Sequence, residues 1–288
     1  MKTHRTLYIR IFLSSLLCSV ILSCGKNSFR DAEAAPPTEE ASKALEEGNP
    51  EKAIRILLED LGSSVEHIYN GMSAMTSSEI SSALQSEILK LSGTKKTESS
   101  SSLSILASAH AQSFGIDPLD IALSLITSGN DESSSGSSNT ITLLYPVLPD
   151  ATSENKAGLS QAIAILNAIP QEELTKADFF KQSLFLTANM SLITKTFDTD
   201  PADGEITLNE LGSLDATTTD ELLTLLETAI GAIVSTDQEG NLAQATEQIA
   251  SIRSSIESQA GADDTEKLKE FLSNNASSIG NNSGSTLP

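Results

Sequence analysis

The chain is poor in the residues that most enzyme and metal sites use. Its 288 residues include no tryptophan, two cysteines and three histidines, and aromatic residues make up 4 % of the total. Both cysteines, Cys18 and Cys24, lie near the start. The rest of the chain therefore has no disulfide, zinc–thiolate site or cysteine nucleophile. With so few aromatic side chains, the core has to be built from Leu, Ile and Ala, which is typical of helical proteins.

Basic residues are also scarce. The chain has 18 Lys and Arg against 39 Asp and Glu, and its formal net charge is −21. Phosphate recognition relies on clustered Lys and Arg, so this balance argues against a nucleic-acid partner. It also disfavours direct adsorption on an anionic membrane surface. The excess of carboxylates does favour cations as partners.

Sequence signatures of an enzyme are missing. There is no G-x-S-x-G elbow, no phosphate-cradling glycine loop and no H-E-x-x-H helix. His67 and His110 stand singly, and we expect each to be a surface residue or a hydrogen-bonded core residue. We therefore predict a non-enzymatic protein, and an enzyme that uses scattered carboxylates is the least favoured alternative.

The N-terminus carries an export signal. Lys2, Arg5 and Arg10 precede an apolar run without acidic residues over 11–22, and Ser23 and Cys24 follow it. A basic start, a short apolar run and a small residue at the cut are typical of a secretory signal. The run is too short to span a bilayer. Removing it takes away three basic residues and leaves a formal charge of −24.

A cysteine directly after the small residue resembles the lipobox of bacterial lipoproteins, over about two dozen residues. The resemblance implies cleavage before Cys24 and diacylation of its sulfur, so that lipid anchors the protein to the membrane. Gly25 is not the aspartate of an inner-membrane retention signal, which favours the outer membrane in a host with two membranes. The alternative is ordinary secretion with an incidental cysteine.

Helical periodicity dominates the remaining chain and predicts an all-α fold of helical hairpins or a bundle. Helix-start patterns occur at Asn49-Pro50, Thr76-x-x-Glu79, Asp117-Pro118 and Thr218-x-x-Glu221. The helix over 173–196 has the widest apolar stripe, so we expect it to be the most buried. We predict these segments: signal peptide 1–23, lipidated tether 24–37, tetratricopeptide-like helices 38–92, serine-rich linkers with short helices 93–139, C-terminal helical domain 140–279 and disordered tail 280–288.

Two details of this division rest on local sequence. The stretch with an AL-x-x-G turn and an A-I-x-x-L-L second helix resembles one tetratricopeptide unit, and an ordinary helical hairpin is the alternative. Serine-rich stretches from residue 94 onward and at 130–139 predict linkers. The segment 140–149, with two prolines, fits either an extended strand or a buried loop.

One acidic segment carries recognisable chemistry. Over 198–210, alternating carboxylates surround the turn Asp203-Gly204, Ile206 follows, and a glutamate returns six residues after the glycine. Hard cations such as calcium take six to eight oxygens from loops of this kind. The segment resembles an EF-hand calcium loop with one extra residue. The resemblance implies side-chain oxygens from Asp198, Asp200, Asp203 and Glu210 and the backbone carbonyl of Glu205.

Other interpretations of this loop stay open. It can instead be a polar turn whose Asp and Gly residues cap helices. A second, degenerate loop begins at Asp237, but Thr246 stands where the chelating glutamate belongs. A single imperfect site suggests weak affinity, about 10⁻⁴–10⁻³ M. We therefore predict a helical protein-binding scaffold with calcium as a brace, and a calcium-responsive switch is the alternative.

Overall fold

The computed structural model describes residues 35–127, 142–199, 206–236 and 256–277. Within these ranges it contains α-helices and short 3₁₀ helices but no β-strand, which confirms the all-α prediction. The α-helices are α1 Pro37–Glu46, α2 Pro50–Leu61, α3 Ser63–Gly71, α4 Ser77–Leu89, α5 Thr94–Ser113, α6 Pro118–Thr127, α7 Ser153–Asn167, α8 Lys176–Lys195, α9 Ala216–Thr236 and α10 Asp264–Ser277. The 3₁₀ helices span Met72–Ala74, Thr142–Val147, Gln171–Glu173 and Glu210–Ser213.

Three of the four predicted helix starts are confirmed, including Pro118 as the first residue of α6. The Asn49 side chain accepts a hydrogen bond from the Lys52 amide at 3.1 Å, and Pro50 is the first residue of α2. Thr76 and Glu79 form both hydrogen bonds of a capping box before α4. The prediction for α9 is wrong, because the helix starts before Thr218. The carboxylate of Asp215 accepts from the Thr218 amide at 2.8 Å and takes the capping position.

The serine-rich linker predicted from residue 94 is also wrong, because these residues form the first half of the 20-residue helix α5. Ser99, Ser100, Ser102 and Ser104 are buried. Serine has a modest intrinsic preference against helix, but tertiary packing overrides such preferences. Here Leu103 and Leu106 are fully buried and fix the helix in the core. The second predicted linker, at 130–139, lies outside the described residues.

Helix α8 connects the two clusters of buried apolar side chains. The larger cluster takes residues from α1 through α9, and Phe185 of α8 is among its largest fully buried side chains. The smaller cluster joins Met190 and Ile193 of α8 to residues of α9 and α10. Twelve of the 20 residues of α8 are buried, as its wide apolar stripe predicted. No helix in the described ranges is long and apolar enough to cross a membrane.

Helices α1 and α2 form a hairpin around Gly48, whose φ of +70° favours glycine. Ala41, Ala44 and Ala53 are fully buried, and their small side chains let the helices approach closely. A tetratricopeptide unit and an ordinary helical hairpin both predict this arrangement.

The segment 142–149 contains a 3₁₀ helix, and the end of α8 holds the segment in place. Leu144 and Tyr145 are buried. The ammonium of Lys195 donates hydrogen bonds to the carbonyls of Tyr145, Leu148 and Pro149 at 3.0, 3.1 and 3.3 Å. The last turn of α8 is therefore fixed to the segment before α7, next to the start of the acidic loop.

Close packing at Gly158 of α7 gives a test of the core. A methyl group added there would lie 2.4 Å from ring carbons of Phe114. We expect Gly158→Ala to lower the free energy of unfolding by about 1–3 kcal/mol, because overpacking outweighs the gain in helix propensity. Urea denaturation would measure the change.

Gly231→Ala is the matched control for this substitution. Gly231 also lies inside a helix, but a methyl group there meets no described atom within 4 Å. We expect this variant to be unchanged or up to about 1 kcal/mol more stable. Equal effects of the two substitutions would contradict the close packing at Gly158.

Candidate functional site

The described ranges contain two of the five predicted calcium ligands, at the two ends of the loop. Asp198 follows α8, and Glu210 opens the 3₁₀ helix before α9. Asp200, Asp203 and Glu205 lie outside the described residues, as do Cys24 and the second loop with Thr246.

Apolar residues on either side fix both ends of the loop. Ile206, which the sequence predicted to pack on the core, is 2 % exposed and belongs to the smaller cluster. Leu211 of the same cluster is fully buried, and Phe197 packs against this cluster. The exit from the loop differs from an EF-hand, since a four-residue 3₁₀ helix replaces the long exiting helix.

The carboxylate of Glu210 joins the two ends of the loop. Its Oε1 accepts hydrogen bonds from the Thr199 amide at 2.9 Å and from the Thr199 hydroxyl at 2.5 Å. Its Oε2 accepts from the amide and the hydroxyl of Thr207, both at 2.8 Å. We call these four hydrogen bonds the Glu210 clamp. They hold the residue after Asp198 next to the residue after Ile206.

The clamp also determines the charge of the site. Hydrogen bonds from Thr199 and then from Thr207 lower the pKa of Glu210 to about 2, so the carboxylate is ionised at neutral pH. Burial raises the pKa of the nearby Tyr145 phenol, and the negative charges of Asp198 and Glu210 raise it further. The charges of Asp198 and Glu210 therefore both raise the pKa of Tyr145, although the two carboxylates belong to opposite ends of the loop.

This geometry meets one requirement of a cation site and opposes another. The Glu210 clamp brings the two ends of the loop together, and these ends carry its first and last acidic residues, Asp198 and Glu210. However, each oxygen of Glu210 already accepts two hydrogen bonds, and chelation of a cation by both oxygens would have to replace them. In the described ranges, no group of three His, Cys, Asp or Glu side chains is arranged to hold a metal ion.

Histidine takes the structural role expected of it. His67 is exposed, whereas His110 is 6 % exposed. The Nδ1 atom of His110 lies 2.8 Å from the Tyr69 hydroxyl, and its Nε2 lies 3.0 Å from Oε1 of Gln161. Burial lowers the pKa of His110, so the neutral ring is favoured in this network.

A second polar network, which the sequence did not indicate, links α5 to α8. Ser104 donates a hydrogen bond to the Asp178 carboxylate and accepts one from the Lys181 ammonium at 2.8 Å. Burial lowers the pKa of Lys181 to about 8, and the charge of Asp178 opposes that shift. Because Ser104 belongs to α5 while Asp178 and Lys181 belong to α8, these hydrogen bonds cross-link the two helices.

Comparison with known proteins finds no match. No protein-family model, no curated protein and no solved structure matches the chain significantly.

Replacing Glu210 tests the clamp. Glu210→Gln keeps the size of the side chain but removes two acceptor positions and the charge, so we expect a lower free energy of unfolding at pH 7. The folded-state pKa lies below the ordinary value of 4.5. The contribution of the carboxylate is therefore complete above about pH 4.5 and is lost as the pH falls towards 2. Urea denaturation of both proteins across this range should show their difference shrinking.

Glu59→Gln is the matched control, because Glu59 is exposed on α2 and makes no side-chain hydrogen bond in the described ranges. We expect it to leave the stability of the protein unchanged throughout this pH range. A difference between wild type and Glu210→Gln that is independent of pH would contradict the clamp.

Proposed function

We propose that this chain is a bacterial cell-envelope lipoprotein whose helical body serves as a non-enzymatic scaffold for a protein partner. The structural observation that carries the proposal is the continuous burial of α8 through both apolar clusters. A body organised around one helix holds its exposed residues in fixed relative positions. Binding such a surface requires little ordering of the scaffold, which favours affinity.

The anchor in this proposal is the lipid on Cys24. The formal charge of −24 that remains after removal of the first 23 residues opposes attraction to anionic headgroups. An acylated cysteine supplies membrane affinity that does not depend on charge. In a host with two membranes, the absence of aspartate after Cys24 favours the periplasmic face of the outer membrane.

Calcium is the proposed ion of the loop 198–210, where it would brace α8 against the 3₁₀ helix and α9. Asp198, Asp200, Asp203 and Glu210 would provide side-chain oxygens, and Glu205 would provide its carbonyl. The position of Asp198 and Glu210 at the two clamped ends of the loop supports this ligand set.

A calcium-responsive switch is the second candidate, and the Glu210 clamp is the observation that favours it. Chelation by both Glu210 oxygens would exchange four hydrogen bonds for the ion. The ends of the loop would then be held by different contacts with and without calcium. This exchange would make the adjoining helices respond to occupancy.

The anchor can be tested in cells by metabolic labelling with a fatty acid. We expect Cys24→Ala to accumulate as the unprocessed precursor and to incorporate no label, because both cleavage and acylation need the thiol. Cys18→Ala is the control and should be processed and labelled normally. Normal labelling of Cys24→Ala would contradict the lipoprotein assignment.

Calorimetric titration of calcium into the purified protein tests the ion site. We expect about one ion per chain, with weak affinity, and loss of binding in Asp203→Ala because a carboxylate ligand is removed. Glu210→Ala should abolish calcium-dependent stabilisation, whereas Thr246→Ala should leave it intact. Equal behaviour of these two variants would contradict the loop assignment.

Circular dichroism during the same titration distinguishes the two roles of calcium. A brace raises the unfolding temperature and leaves the helical signal of the folded protein unchanged. A switch changes that signal as the site fills. The absence of binding at millimolar calcium would reduce the loop to a hydrogen-bonded turn that Glu210 closes alone.

A further inference from the structure

A cavity of about 230 Å³ lies where α7, α8 and α9 meet. Its walls come from the first two turns of α7 and α9 and from the last two turns of α8. Polar and charged groups line much of it, together with the ring of Phe197. Those that matter for recognition are Lys156, Ser160, Asn189, Thr218 and Glu221.

Asn189 is the most informative of these residues. It is 4 % exposed and lines the cavity. Its side-chain amide makes no hydrogen bond to any group in the described ranges. The amide atoms of Asn189 are not among the fully buried polar atoms that lack a partner, so they are open to the cavity and available to a ligand.

The other buried polar residues of α8 do not share this property. Ser183 and Ser191 donate hydrogen bonds to carbonyls of the preceding turn, at 2.7 and 3.0 Å, and Thr194 does the same at 3.0 Å. Asparagine is disfavoured inside helices, and Asn189 shares a helix face with the buried apolar residues Phe185 and Ile193. A position that breaks local rules without an internal partner is where a functional site is expected.

Two charged residues without an ion-pair partner in the described ranges line the same cavity. Lys156 is half-buried in α7 and Glu221 is exposed on α9. Neither forms an ion pair with a group in the described ranges. In a chain with 39 acidic residues, a half-buried lysine without a carboxylate partner is notable. Its position in the first turns of α7, where the helix dipole is positive, also favours an anion.

Size and charge together limit the class of ligand. The cavity is smaller than the ~300–1,000 Å³ that drug-sized ligands occupy. A metal ion is disfavoured, because Glu221 is the single carboxylate among the lining residues. A simple anion would use Lys156 but would be repelled by Glu221. A ligand that carries one negative and one positive charge can pair with both Lys156 and Glu221.

We propose that this cavity binds a small zwitterion of the α-amino-acid class. Lys156 receives the carboxylate of the ligand, Glu221 receives its ammonium, and the deeper Asn189 amide pairs with a polar side-chain group. This binding site goes beyond the scaffold function and depends on neither the lipid nor calcium.

Calorimetric titration of the full-length protein in detergent tests the proposal. The probes are L-serine, L-asparagine and L-glutamine, with L-leucine for comparison. We expect binding of at least one polar amino acid, and no binding of its N-acetyl derivative or its α-amide, each of which lacks one charge. Inorganic phosphate is the probe for a simple anion site.

Variants then tie the binding to the cavity. Asn189→Leu keeps the branching of the side chain at Cγ and replaces both polar atoms with methyl groups. It should weaken binding by about tenfold to hundredfold. Lys156→Met and Glu221→Gln should also weaken binding. Lys176→Met and Asp220→Asn, at exposed positions outside the cavity, are the matched controls and should bind normally.

Three outcomes would overturn the proposal. The first is that none of the polar amino acids binds. The second is binding that the Asn189, Lys156 and Glu221 variants leave intact. The third is binding of phosphate that does not depend on Glu221, since this would assign the cavity to a simple anion. Lys156→Met keeps the test decisive if Asn189→Leu fails to fold.

Discussion

The burial of α8 is the constraint on which the rest of the structure depends. This helix contributes to both apolar clusters, and its last lysine holds the carbonyls of the segment before α7. With aromatic residues at 4 % of the chain, the aliphatic side chains of Leu, Ile and Ala pack most of the core. Such a core relies on close helix contacts, and contacts between Gly158 and Phe114 show how little space remains.

The acidic loop is built as an extension of this helix. Phe197 and Ile206 attach its ends to the smaller cluster, and the Glu210 clamp joins them. The carboxylates of this acidic loop repel one another. The four hydrogen bonds from Thr199 and Thr207 stabilise the charge of Glu210 and offset part of that repulsion. Its ends are therefore ordered by hydrogen bonds that any cation has to compete with.

Sequence patterns predicted the helical class and three of the four helix starts for which a cap was named, because capping depends on neighbours in the chain, as at Asn49 and Thr76. They failed where tertiary contacts decide. The serine-rich first half of α5 is helical because buried leucines and inter-helix hydrogen bonds outweigh local preference. Of the loop, sequence indicated the buried Ile206, but the Glu210 clamp depends on Thr199, eleven residues away. No sequence pattern indicated Asn189, because what distinguishes this residue is that its side chain has no hydrogen-bond partner in the described ranges.

The cavity and the acidic loop are joined by consecutive residues of the chain. Thr196 and Phe197 line the cavity, and Asp198 and Thr199 directly follow as the first residues of the loop. The two regions therefore share one continuous stretch of backbone, and we expect binding in the cavity to be coupled to closing of the loop. Thermodynamic linkage makes such coupling reciprocal: the factor by which closing the loop alters binding in the cavity equals the factor by which an occupant of the cavity alters closing of the loop.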